Sequence, residues 1–177
     1  MLKRQFGKIT LATLCLGFCV GAAAANAAPA PLFDTVIDDI HQELPEGWQF
    51  RLPETIPAES KLYPFISESS ETKFIVSLGI TPDCAESNCT IGMIGATDSA
   101  AELNSWPPEG NDVSTFVLGN DIQGYHLIRG EGESANRLVM WQQDDLTYAI
   151  ATLAEAVTQD QLVEVARSTA FETPISR

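Results

Sequence analysis

The sequence predicts an α+β domain: a curved antiparallel sheet of about seven or eight strands, with an N-terminal and a C-terminal helix packed on one face. Three observations predict it. Apolar residues recur at helical spacing near both ends of the exported part of the chain. Between these ends, from Gly47 to Leu153, they alternate with period two. The last alternating runs are joined by two or three turn-forming residues, which permit hairpins and forbid parallel crossovers.

The first 27 residues set the compartment. "MLKRQFGK" is basic, "ITLATLCLGFCVGAAAA" is apolar and uncharged, and Ala25-Asn26-Ala27 fits the small-x-small rule for cleavage. This is the order of a secretory signal peptide, so 1–27 is expected to be removed and 28–177 to form one domain. A membrane anchor is the competing reading, but the run Ile9–Ala25 is short, rich in Ala and Gly, and followed by the cleavage pattern. "KRQFGK" resembles a twin-arginine export motif with Lys3 in place of the first Arg. Leu14 and Phe18 precede Cys15 and Cys19 where a lipidation site needs a small residue, so no lipid anchor is expected. The exported chain is therefore expected in a periplasm, a thylakoid lumen or the medium.

Each element follows from its residues. Phe33, Val36, Ile37, Ile40 and Leu44 form a helical stripe that Pro31 opens and Pro45 ends. "GWQFRLP" alternates Trp48, Phe50 and Leu52. "LYPFISE" alternates Tyr63 and Phe65, with Pro64 demoting it to a sheet edge. "TKFIVSLGI" sets Phe74, Val76, Leu78 and Ile80 on one face, and "CTIGMIGAT" sets Ile91, Met93 and Gly95. "STFVLG", "IQGYHLIRGE", "NRLVMWQQ" and "LTYAIATL" then form an antiparallel meander through turns at Asn120-Asp121, Gly130-Glu131-Gly132 and Asp144-Asp145. Thr158 and Gln161 make a capping box for a last helix whose inner face is Leu162, Val165, Ala166 and Thr169.

The cysteines that remain after cleavage, Cys84 and Cys89, flank the turn between two of these strands. In an oxidising compartment such a pair is expected to be bridged. A zinc site needs four ligands, usually at C-x-x-C spacing, and His41 and His126 are far away in sequence. A redox pair is usually C-x-x-C at a helix start. Asn88-Cys89-Thr90 also matches the glycosylation sequon.

One segment breaks the strand pattern: "TDSAAELNSWPPEGNDV", residues 97–113. Ser99 and Glu102 fit the cap of a short helical turn. Trp106 beside Pro107 and Pro108 is a stiff aromatic, the kind that anchors interfaces, and Glu102, Glu109 and Asp112 would give it an acidic rim. The other reading is that Trp106 folds back over the core.

Charge excludes some functions. The whole chain has 10 basic and 24 acidic residues, a formal charge of −14. Removing Lys3, Arg4 and Lys8 leaves 7 and 24, a formal charge of −17. Nucleic acid and anionic membrane surfaces are not expected partners. The acids are scattered and no calcium loop is present, so solubility explains them. No G-x-S-x-G turn and no glycine-rich phosphate loop occurs, so no catalytic residue, metal or cofactor is expected. His126, on the strand face opposite Tyr125 and Leu127, reads as structural.

"RLVMWQQDDLTYAIATLAEAVTQDQLVEVARSTA" resembles the closing segment of a broad group of uncharacterised extracytoplasmic bacterial domains, some on surface lipoproteins and some outside membrane-bound regulators of sigma factors. Trp141, Tyr148, Leu162, Ala166 and Ser168 carry the resemblance, with Asp145 in place of a turn glycine. "LPEGWQFRLPETIP" and the cysteine hairpin are similar to those of small secreted cyanobacterial proteins. The resemblance implies an extracytoplasmic α+β module and transfers no catalytic residue. The expected function is a non-enzymatic interaction module that contacts an envelope or membrane protein through the Trp106 segment. The alternative is a carrier of an apolar ligand, held between sheet and helices in a pocket lined by Trp48, Phe50, Phe74 and Trp141. A continuous apolar cavity of about 300 Å³ or more distinguishes the carrier.

Overall fold

The computed structural model describes residues 28–177 apart from 59, 85–88, 101–105, 111 and 133–134. The expected export signal and Glu102 lie outside the described residues. A 3-10 turn at Pro31–Thr35 leads into α1 (Ile37–Glu43) and β1 (Gln49–Phe50). The next strands are β2 (Tyr63–Ser70), β3 (Lys73–Gly79), β4 (Thr90–Asp98), β5 (Ser114–Gly119), β6 (Ile122–Arg129), β7 (Asn136–Gln143) and β8 (Leu146–Leu153). Then come α2 (Gln159–Phe171) and β9 (Ile175–Ser176). Strands β2 to β8 make an open seven-stranded antiparallel sheet, ordered β2-β3-β4-β8-β7-β6-β5.

The meander forms as expected. Asn120, Asp121, Asp144 and Asp145 all have φ between 46° and 63°. Two such residues in succession make the two-residue turn whose twist matches that of paired strands, and Asn and Asp tolerate this conformation. β2 lies at a sheet edge, where Pro64 has no donor to lose from the ladder.

The N-terminal stripe is divided between two kinds of helix. Val36 (φ −125°, ψ 0°) separates the 3-10 turn from α1. Residues three apart are eclipsed in a 3-10 turn and residues four apart share a face in an α-helix. The spacing of Phe33, Val36, Ile40 and Leu44 is three, four and four, so the division keeps all four buried. On α2 the capping box closes in both directions. Gln161 N–H donates to Thr158 Oγ1 at 3.2 Å, and Thr158 N–H donates to Gln161 Oε1 at 2.9 Å.

Both helices bury their apolar faces against the same side of the sheet. Phe33 and Ile40 share one core with Leu162, Val165 and the inward strand residues Phe74, Val76, Ile94, Val139, Trp141 and Tyr148. At its centre the Trp141 and Tyr148 rings stack across neighbouring strands at 5.0 Å and 7°. Phe50 lies above them, 6.2 Å from Tyr148 and 5.1 Å edge-on from Phe74. The Tyr148 hydroxyl donates to the Gln49 carbonyl, which ties β1 down, and burial pushes its pKa up to about 12.

Three expectations are corrected. The run Gly47–Pro53 does not join the main sheet; only Gln49 and Phe50 pair, and their partner is β9, too short to carry a pattern of its own. In β2 the inward residues are Pro64 and Ile66, with Tyr63 and Phe65 on the opposite face. In β4 the inward residues are Gly92, Ile94 and Ala96, while Met93 is 36% exposed. A shift of one residue exchanges the two faces of a strand, and both faces of β4 carry apolar residues, so its alternation did not choose between them.

Candidate functional site

Three inward rows of side chains cross the sheet. Phe74, Ala96, Tyr148, Trp141 and Gly124 form one, and Val76, Ile94, Ile150, Val139 and His126 the next. Leu78, Gly92, Thr152 and Arg137 form the third. The first row is filled by stacked aromatics. In the third, Gly92 places no side chain between Leu78 and Thr152.

Over that third row lies a half-open cavity of about 620 Å³. Its walls are Leu62, Leu78, Ile94, Ile150, Leu162 and Val165, so loop, sheet and α2 each contribute. Ser60, Glu155 and Gln161 supply polar groups to its lining. Ile80 and Ile91, beside the cysteine hairpin, close one side. Cys84 and Cys89 are bridged, with Cα atoms 5.7 Å apart, and Ile80 N–H donates to the Cys89 carbonyl at 3.0 Å. The bridge therefore fixes the segment that carries this side of the cavity.

The four aromatics expected to line a pocket do not line this one. Phe50, Phe74 and Trp141 are fully buried among themselves and Tyr148, and Trp48 is half-buried at the edge of that core. Aromatic rings stack well on one another and so fill space; the cavity opens where β-branched and leucine side chains face a glycine. Gly92 is the residue that sequence reasoning missed. The pattern Gly92, Ile94, Ala96 was visible, but it became meaningful only once β4 was known to lie between β3 and β8.

Ser114, His126 and Arg137 meet at the neighbouring edge. The Arg137 guanidinium donates to the carbonyls of Val157 (3.0 Å) and Ala154 (3.2 Å), and its Nη1 lies 3.3 Å from His126 Nε2. Arginine only donates, so His126 Nε2 accepts and the ring proton sits on Nδ1. Nδ1 then faces Ser114 Oγ at 3.4 Å with its proton and not its lone pair. A general base needs the opposite arrangement, so this pair does not activate the serine. Burial and the Arg137 charge both lower the His126 pKa, which keeps the ring neutral. The ring thereby links Ser114 of β5 to Arg137 of β7.

Trp106 folds back, but onto the outer face of the sheet. It is half-buried, with its ring 5.1 Å from Tyr125 in an edge-on contact at 79°. Tyr125 points away from the inward row that holds His126. Glu109 and Asp112 are exposed nearby in sequence. Ser99 N–H donates to the Asp145 carbonyl at 3.1 Å and its hydroxyl meets Thr147 Oγ1 at 3.2 Å; the helical turn expected from Ser99 and Glu102 falls at 101–105, outside the described residues.

A polar knot secures the chain end. Arg51 donates to the Glu172 carbonyl at 3.1 Å and pairs with Asp144. The Glu172 side chain is buried, and its Oε2 has no hydrogen-bond partner among the described residues. Burial, and then the nearby Glu54 charge, push its pKa up. Among the described residues no group of three or more His, Cys, Asp or Glu side chains is placed to hold a metal ion. No helix among them is long and apolar enough to cross a membrane. No family model, curated protein or solved structure matches the chain significantly.

Proposed function

We propose that the protein is an exported carrier that holds a small apolar molecule in the cavity between α2, the sheet and the residues Ile56, Ala58, Ser60 and Leu62. The cavity itself carries the reading. Its volume of about 620 Å³ falls within the range of roughly 300–1,000 Å³ typical of small-molecule sites. Its leucine, isoleucine and valine walls cost about 25 cal/mol of free energy for each Å² left in contact with water. An apolar guest recovers that term. The rest of the core is filled to stacked-ring contact, so the opening is local. The export pattern of 1–27 and the Cys84–Cys89 bridge support a place outside the cytoplasm.

The test is uptake of the neutral dye N-phenyl-1-naphthylamine, whose fluorescence rises in apolar surroundings. Saturable binding of one dye per chain is expected. Ala156→Trp, at the cavity lining, should abolish it while leaving the melting temperature within a few degrees. Absence of dye binding to the unaltered protein overturns the reading.

A second reading keeps the envelope or membrane protein as partner, docked at Trp106. It is favoured by the half-exposed ring and the exposed acids Glu109 and Asp112 beside it in sequence. Loss of envelope-protein capture in Trp106→Ala, with dye uptake unchanged, supports it; capture unaffected by the substitution removes it.

A further inference from the structure

Charge around the cavity narrows its guest. Among the described residues that line it, Glu155 is the only ionisable side chain, and it is exposed. Among the described residues two cations, Lys61 and Arg137, lie close in the fold, and neither lines the cavity. Lys61, on the loop that forms one wall, carries its ammonium 5.0 Å from the Tyr63 ring centre, and Tyr63 belongs to the outer face of the sheet. Arg137 lies in the third inward row, beside Thr152 of the lining; its guanidinium donates to the Val157 and Ala154 carbonyls and to His126, keeps its charge, and lines an adjoining hollow with Glu155 and Asp160. The chain as a whole is acidic, at −14.

Building on the carrier reading, we infer that the guest is an apolar molecule ending in a cation, such as a long-chain amine or quaternary ammonium, with the tail on the leucine and isoleucine walls and the charged end beside Glu155. A carboxylate-ended guest such as a fatty acid meets, among the described lining residues, no cation and one carboxylate that repels it. Cations are attracted by the same net charge that excludes anions, so approach and docking have the same sign. The Ser60 and Gln161 groups supply hydrogen bonds to a polar end and do not reverse this preference.

The experiment displaces N-phenyl-1-naphthylamine with two probes of equal chain length, dodecyltrimethylammonium and dodecanoate, below their micelle concentrations at pH 7.5 and physiological salt. Dodecyltrimethylammonium is expected to displace the dye at concentrations about fivefold lower, the scale of one partly screened charge contact. Glu155→Gln should reduce the ratio to about twofold or less, and Glu155→Lys should invert it. Equal or stronger displacement by dodecanoate overturns the inference and leaves the carrier reading intact. A cation preference that survives both substitutions assigns it to overall charge and overturns the role of Glu155. Failure of the dye to bind is the separate outcome that removes the carrier reading itself.

Discussion

Gly79 cedes its side-chain space to Cys84: a β-carbon on residue 79 would lie 2.5 Å from the β-carbon of Cys84 and 2.8 Å from its sulfur. The end of the β3–β4 hairpin therefore depends on three residues, Gly79, Cys84 and Cys89. The disulfide joins Cys84 to Cys89, and the glycine leaves room for Cys84 beside the end of β3.

Gly79→Ala should thus destabilise the protein by about 1–3 kcal/mol, the usual cost of overpacking a tight contact. Replacing Cys84 and Cys89 with Ala should cost about 2 kcal/mol, because the closed loop is short. Denaturant unfolding measures both. A cost for Gly79→Ala below about 0.5 kcal/mol would show that the hairpin end yields freely.

Leu162 lies at the boundary between the core and the cavity, 2% exposed. Leu162→Ala should cost about 2–4 kcal/mol, since the side chain is buried and the space left cannot collapse onto a helix held by its capping box. A change under half a kcal/mol would make α2 peripheral and the two-helix packing wrong.

Trp106 and Tyr125 should be coupled. Their edge-on contact predicts an interaction energy of about 0.5–1.5 kcal/mol in a double-mutant cycle of Trp106→Ala and Tyr125→Ala. Additive effects would mean that Trp106 does not rest on Tyr125 in solution.

Glu172 gives a pH dependence with a definite sign. Its native pKa is raised by burial, so the folded state holds the carboxyl proton to higher pH than the unfolded chain does. Its contribution to stability is complete below the ordinary glutamate value of about 4.3, and is lost as pH rises through the native pKa. Glu172→Gln should therefore melt higher than the unaltered protein at pH 7. The two should converge near pH 3.5–4. A difference that is constant across this range would assign the effect to hydrogen bonding and not to titration.

The sequence by itself determined the α+β class, the meander with its Asn120-Asp121 and Asp144-Asp145 turns, the capping box of α2 and the Cys84–Cys89 bridge. The class follows from periodicity read along the chain, and each turn, the capping box and the bridge rest on residues within about ten positions of one another, where backbone preference and short loops leave few alternatives. Only the tertiary structure decided which face of β2 and β4 is inward, because both faces carry apolar residues and burial depends on what lies opposite. It also decided that β4 pairs with β8, that β9 returns to β1, and that Trp106 rests on Tyr125. These contacts join residues from 19 to more than 120 positions apart. Their partners are chosen by the packing of the whole sheet, and no local pattern encodes that choice. The cavity belongs to the same class: Gly92, Leu62 and Leu162 become its floor, wall and roof only when three distant segments meet.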